Sequence, residues 1–214
     1  RGHREGLEDM KISQAAFDLI VQEETGGEAY YRKTEQSTDW PGGASGVTIG
    51  IGYDCGYETA ADIAKDWGDH LDPIEIKALS HVCGIHGSPA RALAHELRST
   101  INVPWDVALD VFRNRDVPKW EGEVEKRLVN TDMLSGDSFG ALVSLAFNRG
   151  PSFGALGDRY REMRNIAALM RMKQFAGIPD EILSMRRLWP KGGDLWRRRG
   201  HEAELFAKGL GEKQ

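Results

Sequence analysis

A glycine-rich stretch in the first quarter of the sequence restricts what this chain can fold into. Six of the sixteen residues from Pro41 to Gly56 are glycine, and each glycine adds backbone entropy that a strand must lose on folding. The same stretch contains Val47, Thr48 and Ile49, which are residue types that favour strands. It therefore predicts a short β-hairpin with part of its backbone left uncovered, and not an ordinary sheet strand.

Helix start and stop signals dominate the remainder of the chain. The predicted helices cover residues 13–24, 59–68, 72–84, 88–98, 104–113, 118–128, 138–148, 158–176, 179–188 and 194–208. Helix 138–148 is apolar nearly all round and is expected to be the central buried helix. Strand signals are confined to about residues 29–54, so the predicted fold class is α+β, mainly α, with one small N-terminal sheet.

The composition is typical of a globular protein and limits the classes of function. The 214 residues suffice for one large domain or for two lobes around one cleft, and no apolar run is long enough to span a bilayer. The net charge is −5, but residues 151–200 carry 11 Lys and Arg against 5 Asp and Glu. That basic region suits an anionic polymer or is simply a solvated helical surface, and it contains no nucleic-acid-binding motif. Because residue 1 is Arg, we expect a piece of a longer protein.

The two cysteines give no disulfide framework, and free thiols are the favoured interpretation of Cys55 and Cys83. Cys83 lies in the sequence HVCGIH between His81 and His86, which raises the possibility of a metal site. Zinc sites usually add a second Cys or His pair at a loop spacing, and only His95 is near in sequence. We therefore predict no metal and no cofactor.

The first predicted helix contains a candidate general acid. Phe17, Ile20 and Val21 precede Glu24 by seven, four and three residues, so Glu24 continues their apolar stripe. Desolvation there and the negative end of the helix dipole would both favour the neutral carboxyl group that a general acid requires. Glu23 is the rival position, on a weaker stripe.

The sequence GVTIGIGYD, residues 46–54, suggests a ligand-binding surface on the hairpin. Its β-branched residues alternate with Thr48, Gly50 and Gly52, so one face would present a hydroxyl followed by bare backbone. Bare backbone suits a surface that a chain-like ligand must approach closely. Thr48 could orient a water molecule or hydrogen-bond a carboxylate, and Asp54 follows at the strand end. A glycine-rich hairpin without a ligand is the simpler alternative.

These motifs together resemble a known family. A helix ending in Glu24, then AYY at 29–31 and TIGIGY at 48–53, is similar to the phage-type lysozymes, which are muramidases that cut the glycan of bacterial cell walls. The strings WPGGASGVTIGIGYD and GALVSLAFNRG resemble the pesticin-like branch of that superfamily, found in secreted bacterial toxins. LWRRRGHEAELF is similar to the arginine-bearing helix near the end of such domains, so the resemblance spans about residues 12–206.

The resemblance implies a fold and a set of catalytic residues. It implies one lysozyme-like domain over residues 1–214, with a catalytic-helix and hairpin lobe at about 12–57 and a helical lobe at about 58–208. It makes Glu24 the catalytic acid and Thr48 the residue that helps hold the attacking water. Asp54, six residues after Thr48, fits the second carboxylate, with Asp39 and Glu35 as alternatives. Inverting chemistry needs carboxyl groups roughly 6.5–9.5 Å apart and retaining chemistry about 5–5.5 Å, and the family suggests inversion.

The resemblance also implies a substrate and partners. The expected substrate contacts are Tyr31, Gly50, Gly52, Tyr53, Asn148 and Arg149. For Asn148 and Arg149 a helix C-cap is an equal alternative, with Asn148 bonding the last carbonyls and Gly150 turning left-handed. The implied substrate is peptidoglycan, cut between N-acetylmuramic acid and N-acetylglucosamine by an antibacterial effector or endolysin domain. We expect a monomer that acts in the periplasm or wall of a target bacterium, without nucleic acid or membrane partners and with a possible immunity protein. A lytic transglycosylase and a non-catalytic wall-binding module are the alternatives.

Overall fold

The computed structural model of the chain describes residues 10–212. Two short strands and eleven α-helices form the described part of the chain. The strands are β1 (Thr48–Ile49) and β2 (Tyr53–Asp54). The helices are α1 (Gln14–Thr25), α2 (Glu28–Thr34), α3 (Ala60–Trp67), α4 (Pro73–Ser80), α5 (Ser88–Leu97), α6 (Trp105–Val111), α7 (Val117–Glu125), α8 (Gly136–Arg149), α9 (Arg161–Met172), α10 (Ile178–Ser184) and α11 (Asp194–Leu210).

The fold class predicted from the sequence is confirmed, since the described residues are mainly helical with one two-stranded antiparallel sheet. Each predicted helix has a counterpart, and local capping explains several starts. Ser13 accepts a hydrogen bond from the Ala16 amide at 3.0 Å at the start of α1, and Thr59 with Asp62 forms a capping box at the start of α3. Within residues 10–212 we find no helix with the length and apolarity that a membrane crossing requires.

One helix was missed, because strand structure was expected from residue 29 onward. Residues 28–34 form α2 instead. Glu28 lies in its first turn while Arg32 and Lys33 lie in its last, which matches the helix dipole, and Glu28 forms an ion pair with Arg32 at 2.7 Å. These charge placements favour a helix despite the strand preference of the two adjacent tyrosines.

The chain divides into two compact units, and the division differs from the predicted lobes. One unit, here called the hairpin unit, is Val21–Asp116; the other, here called the helical unit, combines the described residues up to Ile20 with those from Val117 onward. The predicted lobe boundary near residue 57 does not coincide with either end of the hairpin unit. The hairpin unit keeps four further helices, α3 to α6, and the helical unit includes most of α1.

Helix α8 forms the centre of the helical unit, as its apolar sequence predicts. Its residues from Asp137 to Ala146 are buried, and α11 makes the most extensive contact with it. The start of α1 approaches α8 closely at Gly140, where an added Cβ would lie 2.1 Å from the Cβ of Ala16. Only glycine at position 140 allows this helix packing.

Candidate functional site

The glycine-rich stretch forms a tight hairpin within the hairpin unit. Strands β1 and β2 pair antiparallel, with Thr48 opposite Asp54 and Ile49 opposite Tyr53. Gly50 and Gly52 in the connecting turn have φ of 57° and 75°, a region that side chains other than glycine rarely adopt. The sequence predicted that side chains would continue to alternate between two faces of one strand through residues 50–52. The chain instead reverses direction there, because Gly50 and Gly52 form the turn between β1 and β2.

The two turn glycines differ in their surroundings. A Cβ on Gly52 would meet nothing within 4 Å, so the backbone there is open, as the sequence suggested. A Cβ on Gly50 would lie 2.8 Å from the Trp67 ring. Gly50 is therefore required for packing and for its positive φ, whether or not it contacts a ligand, and its backbone is partly exposed.

The carboxylate of Asp54 is anchored by backbone N–H groups. The Gly46 amide donates to both carboxylate oxygens at 3.0 Å, and the Gly56 amide donates to one of them at 2.9 Å. A Cβ on Gly46 would lie 2.4 Å from that oxygen, so glycine is needed for the carboxylate to fit. Asp54 remains partly exposed and also caps the short 3₁₀ turn that follows it.

Thr48 lies between two aspartates. On one side it pairs with Asp54, and on the other its backbone exchanges hydrogen bonds of 2.8 and 2.9 Å with Asp39 in an isolated antiparallel bridge. Residues directly opposite each other on neighbouring strands project to the same face. We call this arrangement the Asp39–Thr48–Asp54 row. Thr48 itself is 8% exposed, and Asp39 is exposed.

Glu35 is close enough to this row to interact electrostatically with Asp39. Partial burial raises the pKa of Glu35, and the negative charge of Asp39 adds to the increase. Glu35 follows the C-terminus of α2, where its amide donates to the Tyr31 carbonyl at 2.8 Å. The sequence named Glu35 and Asp39 as alternatives for the second carboxylate, and the structure shows them to be electrostatically coupled.

Glu24 lies in the last turn of α1 and is exposed, so the predicted desolvation is wrong. The buried stripe runs from Phe17 through Val21 to Thr25, which is four residues beyond Val21 and 2% exposed. Thr25 fits this inward position because its hydroxyl donates to the Val21 carbonyl at 2.8 Å and accepts from the Gly27 amide at 3.0 Å. Glu23, the rival, is less exposed than Glu24.

Two of the expected substrate contacts belong to the core. Tyr31 is 0% exposed, and its hydroxyl donates to the Val103 carbonyl at 3.1 Å. Tyr53 is also buried, and its hydroxyl donates to Asp66 at 3.1 Å. Burial raises the pKa of both phenols. The predicted substrate contacts of Tyr31 and Tyr53 are therefore wrong, because both rings fill interior space.

Arg115 contacts Tyr53, and the sequence did not identify Arg115 as part of the candidate site. Its guanidinium lies over the Tyr53 ring, 4.3 Å from the centroid, and forms ion pairs with Glu58, Asp66 and Asp116. Arg115 lies in a π-helical segment, Phe112–Asp116, directly after α6. Its sequence FRNRD contains two arginines of similar character, so only the fold distinguishes the one that packs on β2.

The other two expected contacts, Asn148 and Arg149, lie at the end of α8 in the helical unit. Asn148 accepts a hydrogen bond from Arg199 at 3.1 Å. Arg149 donates to the Arg159 carbonyl at 2.7 Å and lies 5.2 Å from the centre of the Trp189 ring. Burial lowers the pKa of Arg149, and the charge of Arg159 adds to the decrease. Gly150, with φ of 74°, is the C-cap residue of α8, but the Asn148 side chain bonds Arg199 and not the last carbonyls that the C-cap alternative assigned to it.

The cysteines and histidines supply no metal site in the described part of the chain. Across residues 10–212, no three His, Cys, Asp or Glu side chains gather as a metal site would require. Cys55 and Cys83 are both free thiols, which confirms that interpretation, and burial raises the pKa of each.

The geometry of the candidate site therefore comprises a hairpin with one open glycine, a threonine between two aspartates, and an exposed glutamate in the same compact unit. Comparison with known proteins adds no relative: the sequence matches no protein-family model and no curated protein.

Proposed function

We propose that this protein is a peptidoglycan muramidase, a glycoside hydrolase that cleaves between N-acetylmuramic acid and N-acetylglucosamine. The observation that carries the proposal is the Asp39–Thr48–Asp54 row beside the open backbone of Gly52, in the unit that also contains Glu24. Glycoside hydrolysis requires two carboxyl groups and a positioned water molecule. Glu24 and Asp54 carry the two carboxyl groups, and Thr48 carries a hydroxyl group that can bind the water molecule.

In the proposed reaction, the Glu24 carboxyl group donates its proton to the glycosidic oxygen as the bond to the anomeric carbon breaks. A water molecule held by Thr48 and Asp54 adds to that carbon and gives its proton to the Asp54 carboxylate. A carboxylate offers about four lone-pair positions, and backbone amides make three contacts with Asp54. One acceptor position therefore remains for the water.

Because Glu24 is exposed in the free protein, the proposal requires the bound substrate to desolvate its carboxyl group. A bound polysaccharide chain would remove water from a carboxyl group that is exposed in the free protein, and removal of water favours the protonated form. In this proposal, substrate binding provides the desolvation that the sequence analysis attributed to the helix itself.

A lytic transglycosylase is the second candidate, and one observation favours it. The Asp54 carboxylate stabilises the hairpin, since it accepts hydrogen bonds from the backbone amides of Gly46 and Gly56. A transglycosylase needs only one acid, because a hydroxyl group of the sugar replaces water and yields an anhydro-sugar. In that case Glu24 would act alone.

We further propose the lysozyme-like assignment of the fold, which rests on the resemblance of the sequence motifs. Asn148 and Arg149 remain proposed substrate contacts on the same basis. The implied setting is a monomeric antibacterial effector or endolysin domain that acts on the periplasm or wall of a target bacterium. An immunity protein that covers the site would be the corresponding partner.

The decisive experiment measures clearing of purified peptidoglycan and identifies the released fragments by mass spectrometry. Glu24→Gln is compared with Glu23→Gln, which alters the neighbouring carboxyl group on the same helix turn. We expect Glu24→Gln to reduce clearing at least about 100-fold, as loss of a general acid does, and Glu23→Gln to retain activity.

The second carboxylate is assigned by Asp54→Asn, Asp39→Asn and Glu35→Gln in the same assay. Loss of clearing in Asp54→Asn alone supports the proposed water-positioning role, while loss in Asp39→Asn or Glu35→Gln transfers that role to the coupled pair. Anhydro-sugar products with full activity in Asp54→Asn would establish the transglycosylase. Absence of clearing at any pH, with peptidoglycan still bound, would indicate a binding module instead.

A further inference from the structure

A cavity in the hairpin unit lies next to the Asp39–Thr48–Asp54 row, and no step proposed above uses it. Its volume is about 510 Å³, and it lies between the segment after Thr38 and helix α5. The residues that line it are Asp39, Trp40, Arg91, Ala94, His95 and Arg98. Asp39 belongs both to this lining and to the row, so the cavity begins where the row ends. We call it the Trp40 cavity.

The two walls of the Trp40 cavity are tied together by hydrogen bonds. The Ser37 hydroxyl donates to the Arg98 carbonyl at 2.8 Å, and the buried Thr38 hydroxyl donates to the Ala94 carbonyl at 2.6 Å. Farther along, the Gly87 amide donates to the Ser45 carbonyl at 2.9 Å. The loop is thereby fixed to both ends of α5, so the cavity is preformed.

Trp40 supplies an aromatic surface in a fixed orientation. Its indole N–H donates to the Ser45 carbonyl at 3.0 Å, which satisfies its only polar atom. The Arg91 guanidinium lies over the ring, 5.8 Å from the centroid. Because the cation lies near the ring, a ligand can contact an aromatic face and a positive charge together.

The charges around the cavity favour an anionic ligand. The lining contains two arginines, Arg91 and Arg98, and one carboxylate, that of Asp39. The Arg98 guanidinium is 3.8 Å from the Asp39 carboxylate, which is longer than a hydrogen bond, and both side chains are more than half exposed. Such an exposed pair holds its members weakly, so the donors of Arg98 are available to a carboxylate ligand.

We propose that the Trp40 cavity binds the carboxylate-bearing peptide stem attached to the glycan, and this inference rests on the proposed muramidase function. The two arginines match peptide carboxylates in charge and donor geometry. Asp39 offers a partner for an amino group on the same peptide. Because Asp39 is also the bridge partner of Thr48, a stem bound here would fix the glycan relative to the row.

The proposal predicts that peptide stems raise affinity through the two arginines. Binding is measured by calorimetry with Glu24→Gln, which prevents turnover, using soluble glycan fragments that carry stems and the same fragments after enzymatic removal of the stems. We expect Arg91→Gln or Arg98→Gln in that background to weaken binding of stem-bearing fragments about tenfold, as loss of a charge-assisted hydrogen bond does. Binding of stem-free fragments should be unchanged.

Arg32→Gln is the matched control, since Arg32 is an exposed arginine of the same unit that pairs with Glu28 away from the cavity. It should bind both ligands as the Glu24→Gln protein does. A shift of the Trp40 indole N–H signal on addition of free stem peptide would support the inference independently of the glycan.

The outcomes separate this inference from the function on which it rests. Equal binding of stem-bearing and stem-free fragments, or equal losses for both in the arginine variants, would overturn the peptide subsite and leave the muramidase proposal intact. Failure of the protein to bind either fragment would overturn both proposals. Tenfold weakening confined to stem-bearing fragments, with Arg32→Gln unaffected, would establish the subsite.

Discussion

Two carboxylates, Glu202 in the helical unit and Asp39 in the hairpin unit, both lie near arginines, but they are exposed to different degrees. In the helical unit, Glu202 is 0% exposed and accepts hydrogen bonds from Arg199 at 3.0 Å, from Arg198 at 3.1 Å and from the Ser144 hydroxyl at 2.7 Å. Burial raises the pKa of Glu202, and the arginines oppose that increase. In the hairpin unit, Asp39 is exposed.

The buried carboxylate of Glu202 stabilises the fold, whereas the exposed carboxylate of Asp39 is available to a ligand. Charges buried against each other between α8 and α11 are costly to disturb, because removal of one leaves its partners unpaired in the interior. Carboxylates on the hairpin retain contact with water, so a substrate can reach them. Asp54 combines both situations, since it anchors backbone amides and remains partly exposed.

The largest effect is expected from Glu202→Gln, which removes the carboxylate from two buried arginines. We expect it to reduce the free energy of unfolding by about 3–5 kcal/mol, measured by urea denaturation. Asp39→Asn makes the same kind of change, from carboxylate to amide, at an exposed residue and should alter stability by less than about 0.5 kcal/mol. Similar costs for the two variants would remove the distinction between the buried and the exposed carboxylate.

Gly140→Ala tests packing in the helical unit with the smallest possible addition. The new methyl group would lie 2.1 Å from the Ala16 Cβ, so the helices must separate, at a cost of about 1–3 kcal/mol. Gly122→Ala in α7 is the control, because a Cβ there meets nothing within 4 Å. That variant should be more stable by about 0.4–1 kcal/mol, measured by the same denaturation.

Asp54→Asn should have a smaller effect on stability, because the side chain keeps one oxygen acceptor. Its new NH₂ group faces the Gly46 amide, which donates to both oxygens in the native protein. We expect a loss of about 1 kcal/mol and faster hydrogen exchange at the Gly46 and Gly56 amides. Unchanged exchange at both amides would show that the carboxylate does not hold the hairpin.

The smallest effect concerns the pH dependence of stability at Glu35. Its pKa is raised in the folded protein, so its protonated form is favoured by folding. Its contribution is therefore fully present below the unfolded-state pKa of about 4.3 and is lost as pH rises through the folded-state pKa.

Glu35→Gln should consequently gain stability relative to the native protein as pH rises from 4 to 7, by under about 1 kcal/mol because Glu35 keeps part of its hydration. Thermal unfolding at several pH values measures this difference. Asp39→Asn should reduce the difference, since the charge of Asp39 contributes to the raised pKa. A difference that does not vary with pH would contradict the raised pKa of Glu35, and a difference that Asp39→Asn leaves unchanged would contradict its coupling to Asp39.

Local chemistry determined much of the fold, and the sequence by itself was sufficient for it. Ser13 and Thr59 begin helices because a hydroxyl satisfies a free amide three residues later, which needs no tertiary contact. Gly150 ends α8 through its own positive φ. The apolar sequence of α8 likewise indicated a central helix, since such a face has to be buried somewhere.

Which side chains of the candidate site are exposed to water depends on how distant parts of the chain pack together. The helical period allows either Glu24 or Thr25 to continue the buried stripe, and Thr25 is buried because its hydroxyl finds partners within its own helix turn. Tyr31 can be buried because the Val103 carbonyl, 72 residues away, accepts a hydrogen bond from its hydroxyl group. The bridge from Asp39 to Thr48 depends on a loop path that no local pattern specifies. Capping and periodicity are properties of neighbouring residues, whereas exposure depends on what the rest of the chain brings alongside.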